Sequence, residues 1–457
     1  MGWSLYSKEF SYNFKLAYPI ILSMLGHTLV GVIDNIMVGK IGATELAAAS
    51  LANSFVFIGI SVVVGFSSAI TPLVASSDTE GDIEKGSKVL FNGFWLCSLL
   101  GVLIFALLYG LKSYIGLMKQ PEEVIVMTKP FLDVVALSLI PLAVFQSLKQ
   151  FTDGKSLTKY SMYATIISNV VNVLFNYLLI YGVWIFPEMG MMGAAYGTLI
   201  SRIAMLIYMM YVLYSHDVFK PYIEKLSFSL LDGTISKSIS KIGVPSSLQS
   251  LFEVGLFTGA VWISGMLGTS EQAANQIALS MASMTFMFAS GLSVASMIRV
   301  GNMMGLKDYK QAKIISQSIM IMTTLLYVGF AVFFFLLHDQ IPLLFLDAND
   351  VKDQMLNQEV IHIAGKLLMI AALFQIVDGI QVVTLGSLRG MQDVNIPMIL
   401  TFFSYWVIGF GLCIYLSFYT SLGAEGIWYG LLGGLASAAL FLYLRFEIKS
   451  KQLINSI

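Results

Sequence analysis

The chain has 457 residues, 57% of them apolar and only 12% charged, with a mean hydropathy of +0.80. A soluble domain carries about 25% charged residues, so these values exclude a water-soluble globule: one core cannot absorb that much apolar surface, whereas a bilayer can. A net charge of −1 gives no electrostatic reason for a nucleic-acid partner. The cysteines, Cys97 and Cys413, lie in apolar runs and imply neither a disulfide nor a redox role, and the four histidines are scattered without metal-ligand spacing.

The N-terminal stretch carries Lys8 and Lys15 ahead of an apolar run with no small-residue cleavage site. The run is longer than a signal peptide's, so a retained first membrane helix is expected. A spanning helix needs roughly 20 mostly apolar residues. That rule predicts twelve spans, at 13–38, 46–74, 89–111, 124–148, 160–182, 190–214, 240–266, 272–300, 313–338, 357–386, 394–418 and 425–446. The longest connection, 215–239, holds Pro221 and several charges. It predicts an N-terminal lobe of helices 1–6 (1–214), a cytoplasmic linker (215–239) and a C-terminal lobe of helices 7–12 (240–457). Of the 26 lysines and arginines, 19 fall on the side holding both termini and this linker, six fall on the other, and Arg202 lies within helix 6. Basic loops mark the cytoplasmic side, so both termini are expected there.

The two halves repeat. At an offset of 226, Pro19 meets Pro245, Gly42 meets Gly268, Glu45 meets Glu271 and Asp82 meets Asp308. Leu148–Asp153 pairs by its letters with Leu388–Asp393, and Gly193–Gly197 with Gly426–Gly430. Six helices per half start both halves on the same side, which predicts a pseudo-two-fold axis along the membrane normal, with the substrate site between lobes.

An Asp costs about 2.5 to 3.5 kcal/mol at the centre of a membrane helix and normally faces a bundle interior or a water-filled cavity. Three acids stand well inside apolar helices: Asp34, Glu253 and Asp378. In helix 7, Ser246, Gln249, Glu253 and Phe257 share a face; in helix 10, Gln375, Asp378 and Gln381 form a stripe bordered by Phe374; helix 8 adds Gln272, Gln276 and Ser280. An acidic, amide-rich lining edged by aromatic rings suits an organic cation. Structural pairing of these acids with Arg202 or Lys366 is the other reading. In helix 1, Ser23, His27 and Asp34 share a face, as do Thr165, Asn169, Asn172 and Asn176 in helix 5, with Thr198 in helix 6. Such oxygens suit a small hard cation, and the carboxylate could carry a proton. The alternatives are an interfacial Asp34 beside Lys40 and interhelical hydrogen bonds among the asparagines. Pro19 falls inside helix 1 and favours a kink or hinge. There is no GxxxxGK[ST] loop, HExxH or nucleophile elbow, so neither a P-loop motor nor an enzyme is expected.

These residues resemble the MATE (multidrug and toxic compound extrusion) family in its NorM-like branch. The match rests on Pro19 to Asp34 with VIDNIMVGKIG, SNVVN followed by FNYLLIYG in helix 5, LQSLFEVGLF in helix 7, AANQIAL in helix 8 and VDGIQVVTLGSLRGMQD in helix 10. The resemblance implies an all-α membrane protein with the MATE-like fold, twelve helices in two pseudo-symmetric lobes. It implies a multi-pass antiporter of the bacterial inner membrane, a lipid-surrounded monomer that needs no cofactor. It would export cationic, often polyaromatic compounds in exchange for Na⁺ or H⁺ by alternating access. Asp34 would be the coupling carboxylate, with Asn172, Asn176 and Thr198 as neighbours and Asp34, Asn172 and Asn176 as Na⁺ ligands. Glu253 and Asp378 would bind substrate with Gln276, and Pro19 would be the bend point of helix 1. Gln249, Gln375 and Phe257 join the expected lining. Asn275 stands where the family commonly has His, and Asn176 where relatives carry an aspartate. A flippase of lipid-linked sugars or polysaccharides is the alternative; it would need a basic cavity, and the candidates here are acidic.

Overall fold

In hydrocarbon every backbone N–H and C=O must be satisfied within its own segment, so apolar runs of this length become helices. The structure, a computed structural model, describes residues 2–118, 121–224, 228–346 and 354–456. Lys119, Lys225 and Lys352, counted in the charge bias, lie outside the described residues. Among those residues there are 12 spans: α1 Ser4–Gly39, α2 Ala43–Glu80, α3 Ile83–Gly116, α4 Glu122–Gly154, α5 Lys159–Tyr181, α6 Met191–Ser215, α7 Gly233–Leu267, α8 Thr269–Gly305, α9 Tyr309–Leu337, α10 Met355–Gly390, α11 Asn395–Phe418 and α12 Ala424–Ile454. Each predicted span matches one of them to within a residue or lies inside it. Several are much longer than expected, such as α8 at 37 residues. Helical turns project beyond the apolar run, and a hydropathy rule cannot see them.

Four spans are locally irregular. α3 becomes 3₁₀-helical from Lys112. α2 breaks at Ser68–Ala69 and α4 at Ser138. α11 carries a π-helical stretch over Phe403–Gly409, a geometry that often marks functional positions.

The described chain forms two compact units, one of Met1–Ala17 with Leu248–Ile457 and one of Tyr18–Ser247. The changeovers fall beside Pro19 in α1 and Pro245 in α7, repeat partners in helices that run unbroken through them. In the first unit the start of α1 is fastened to α8 and α9. Arg299 pairs with Glu9 at 2.7 Å and donates to Asn13 Oδ1 at 2.5 Å, and Asn13 Nδ2 donates to Ser318 Oγ at 3.3 Å. In the second unit the described parts of 215–239 are packed down. Phe219 and Tyr222 are buried against Phe151, and Asn92 Nδ2 donates to Leu230 O at 2.8 Å. Asp232 starts α7, where the Thr234 and Ile235 amides hold its carboxyl below the usual carboxylate range.

The repeat is built into the caps. Asp82 and Asp308 each accept from the amide three residues on, Lys85 at 2.9 Å and Gln311 at 3.0 Å. The lettered match of Leu148–Asp153 with Leu388–Asp393 is out by one helical turn. A Cβ on Gly154 would meet Val74 Cβ at 2.8 Å and Thr71 O at 2.9 Å; one on Gly390 would meet Val300 Cβ at 2.8 Å and Met297 O at 2.9 Å. Those neighbours are themselves repeat partners, and Ser156 and Gln392 follow with φ of 61° and 58°. A close helix approach and a left-handed turn are what repeat, and they set Asp153 opposite Arg389.

We therefore expect Gly390→Ala and Gly154→Ala each to destabilise the protein by about 1–3 kcal/mol through overpacking. Thermal unfolding in detergent would show it as a lowered Tm in both; an unchanged Tm would refute the close approach.

Candidate functional site

Each unit carries a polar cluster built on the interior acids of its apolar helices. In the Tyr18–Ser247 unit, the α1 face of Ser23, His27 and Asp34 meets the α5 face of Thr165, Asn172 and Asn176. Ser23 Oγ and Thr165 Oγ1 lie 2.6 Å apart, and Thr165 Oγ1 is 3.4 Å from His27 Nε2. Asn176 Nδ2 donates to Asp34 Oδ1 at 2.6 Å and to Asn172 Oδ1 at 3.3 Å. One amide nitrogen thus sits between two oxygens, the place a small cation would take. Asn176 Oδ1 is buried without a partner, and rotation of that amide would turn a third oxygen to the same point. A carboxamide presents oxygen at one end and NH₂ at the other, so the donor set Asp34, Asn172 and Asn176 fits a hard cation in one amide orientation.

α6 approaches closely because Gly197 has no side chain where the Asn176 carboxamide lies. Thr198 follows, half-buried; its carbonyl accepts from Ser201 Oγ at 2.9 Å, and no bond joins it to Asp34 among the described residues. Arg202 donates to Ser138 Oγ at 2.7 Å and is within electrostatic reach of Asp34. Of the bases the sequence offered as partners, Arg202 is the one that acts electrostatically on Asp34.

In the other unit the chemistry runs as a ladder between α7 and α10. At one end Arg389 donates to Gln249 Oε1, from Nη2 at 2.8 Å and Nε at 3.3 Å, and Gln249 Nε2 donates to Val394 O at 3.3 Å. Gln249 is thus a buried brace between helices. One turn along α7 stands half-buried Glu253, which interacts electrostatically with both Arg389 and Asp378. Asp378 and Gln375 are buried, and Asp378 Oδ1 and both ends of the Gln375 amide have no hydrogen-bond partner among the described residues. Gln381 Nε2 donates to Tyr405 Oη at 2.6 Å. At the far end Phe257 meets Phe374 edge-on at 6.2 Å, and Phe374 meets Trp428 at 5.2 Å. Gln276 is exposed on α8. Its neighbour Asn275 is buried, accepting from Trp428 Nε1 at 3.0 Å and donating to Ser264 Oγ at 3.3 Å. Lys366 pairs with Glu425 at 3.1 Å, leaving the interior acids to themselves.

The sequence reading missed Arg389, Tyr405 and Tyr327. Arg389 reads as a loop charge at the end of a span. Tyr405 reads as one more apolar residue, though the π-helical stretch that holds it leaves no sequence signal. Tyr327 is fully buried, and its hydroxyl donates to Thr285 O at 2.6 Å.

A family model described as MatE matches residues 19–178 and 245–415, the two halves of the repeat. The chain belongs to the MatE family. It is 32% identical over 446 residues to the probable multidrug resistance protein NorM of Agrobacterium fabrum, covering 97% of this chain and 95% of the relative. It is likewise 32% identical over 460 residues to the multidrug resistance protein NorM of Vibrio cholerae, covering 98% and 97%. A eukaryotic MATE transporter superposes with a TM-score of 0.87 at 20% identity over 98% of this chain and 99% of that one. A MATE protein in a bent conformation does so at 0.88 and 19% over 99% and 98%. This multi-pass membrane protein is thus a NorM-like MATE transporter with the MATE fold, and not an enzyme.

The Gln381–Tyr405 bond supplies a test of the ladder. Gln381→Leu and Tyr405→Phe should each cost about 1–3 kcal/mol, because each strands a buried partner. The double variant should cost clearly less than the two together. Strict additivity of the Tm losses would show that the bond is absent.

Proposed function

We propose that this transporter is a secondary active multidrug efflux antiporter of the bacterial inner membrane. It exports cationic and polyaromatic compounds in exchange for Na⁺ or H⁺ by alternating access. The observation that carries this reading is the unpaired interior acidity of the Leu248–Ile457 unit. Glu253 and Asp378 sit among amides with aromatic rings at one end, and one Asp378 oxygen has no partner. Carboxylates in low dielectric attract an organic cation strongly, and ring faces add stacking and cation–π attraction. The relatives named as multidrug resistance proteins agree with it.

Asp34 then serves the driving ion. Na⁺ would enter between Asp34, Asn172 and Asn176 as the amide turns; a proton would bind Asp34 itself. Either cancels the charge that α1 carries into the membrane. Neutralisation favours a repacked or bent α1 about Pro19, and the ion shifts the balance only as far as it prefers one conformation over the other. Both termini and 215–239 face the cytoplasm on the charge bias.

Three variants separate these roles. Glu253→Gln and Asp378→Asn should each abolish ethidium efflux from proteoliposomes while keeping a near-native Tm, because neither substitution strands an ion-pair partner. Normal efflux would defeat the cation-binding role, and loss of folding would make the acids structural. Asp34→Asn should retain ethidium affinity within about threefold yet lose uphill export. Efflux driven by a Na⁺ gradient alone and by a pH gradient alone identifies the coupling ion, and failure of both in the unaltered protein would defeat antiport. A cysteine introduced at Ser238 that reacts with an impermeant reagent only from outside the cell would overturn the proposed orientation.

A further inference from the structure

Arg389 has one guanidinium and interacts with two acceptors, by hydrogen bonds with Gln249 and electrostatically with Glu253. It occupies the neutral one, Gln249, through two hydrogen bonds. The other acceptor is the Glu253 carboxylate, four residues on along the same helix face and so about 6 Å away. The backbone beneath Arg389 cannot follow such a move, since Gly390 is wedged against Met297 O and Val300. The long side chain can. A carboxylate adds charge attraction that the amide lacks; on the other side stand the cost of burying an ion pair and the brace that Gln249 makes to Val394. Two acceptors one turn apart on one helix face give the guanidinium two places to sit.

We infer that Arg389 is a built-in competitor for the exported cation: on Gln249 it leaves Glu253 open to cargo, and on Glu253 it expels the cargo. This inference rests on the reading of Glu253 as a cation-binding carboxylate. Arg389 acts there as a positioning residue, governing the availability of Glu253.

The two partners of the switch should respond in opposite directions. Arg389→Gln removes the competitor, so ethidium should bind about threefold tighter while turnover falls, KM and kcat dropping together because release slows. Gln249→Met removes the resting place, so Arg389 stays on Glu253 and ethidium should bind about tenfold more weakly. An uncharged polyaromatic dye of similar size should bind all variants alike. A purely structural role would weaken binding of both dyes in Arg389→Gln and Gln249→Met together, and that result would overturn the inference. If instead Glu253→Gln binds ethidium like the unaltered protein, the carboxylate reading itself fails, and the switch with it. Monodisperse elution of each variant confirms that folded protein is being compared.

Discussion

A charge carried into hydrocarbon must find a partner, line a cavity or be neutralised, and the structure shows how selectively this protein applies that constraint. Many acids are paired with bases: Lys112 with Asp133 at 2.8 Å, Lys313 with Glu447 at 2.7 Å, Arg445 with Asp393 at 2.6 Å, Lys366 with Glu425 at 3.1 Å. Even the buried Asp153 has Lys149 at 2.7 Å and accepts from Ser161 Oγ at the same distance. Asp34, Glu253 and Asp378 are treated otherwise. A neutral amide holds Asp34, Arg389 turns away from Glu253 to Gln249, and Asp378 keeps an oxygen with no partner. Bases are available in both units, so the unpaired state of these acids is not a shortage of cations. It is the condition a carrier needs, since a carboxylate locked to a resident base has little affinity left for a cation that comes and goes.

Much of this was legible in the sequence because membrane physics is written in simple periods. Hydropathy gave the spans, and the three- and four-residue steps gave the facing polar stripes of α1 and α5; the Asp34–Asn176 bond joins two of the residues those stripes picked out. What stayed hidden depends on depth and register. Gln249 shares the stripe of Glu253, yet one turn decides that it braces α7 to Val394. Gln276 and Asn275 are adjacent in sequence, and the 100° step between them exposes the first and buries the second under Trp428. Arg389 lies at a span end, where hydropathy cannot tell a loop charge from one that reaches back along the neighbouring helix. The lettered repeat around Asp153 slipped by a turn because identical letters there do not occupy identical places.

With the register corrected, the repeat separates what the two units share from what they do not. The close glycine approaches recur: Gly154 with Gly390, and Gly197 against Asn176 with Gly430 against Cys413. The chemistry does not. Where one unit has Asp34 the other has Ala260, and where one has Asn176 the other has Cys413, so the oxygen-rich cluster has no counterpart. Glu253 corresponds to His27, Asp378 to Leu142 and Arg389 to Asp153. A duplicated scaffold has kept its packing and diverged at the few interior positions that carry charge. Packing contacts constrain one another in a dense interior, whereas an interior polar position is limited mainly by its own solvation. The same helical frame can therefore hold a compact oxygen cluster in one unit and an acid ladder edged with rings in the other, which the proposed function assigns to a small ion and a larger cation. In an antiporter that division is useful in itself. Two cargoes that compete for one carboxylate are coupled by exclusion, while two cargoes on separate carboxylates must be coupled through helix movement. α1 and α7, the helices that run past Pro19 and Pro245 from one compact unit into the other, each carry one of those carboxylates, Asp34 and Glu253, and are the elements through which such coupling would pass.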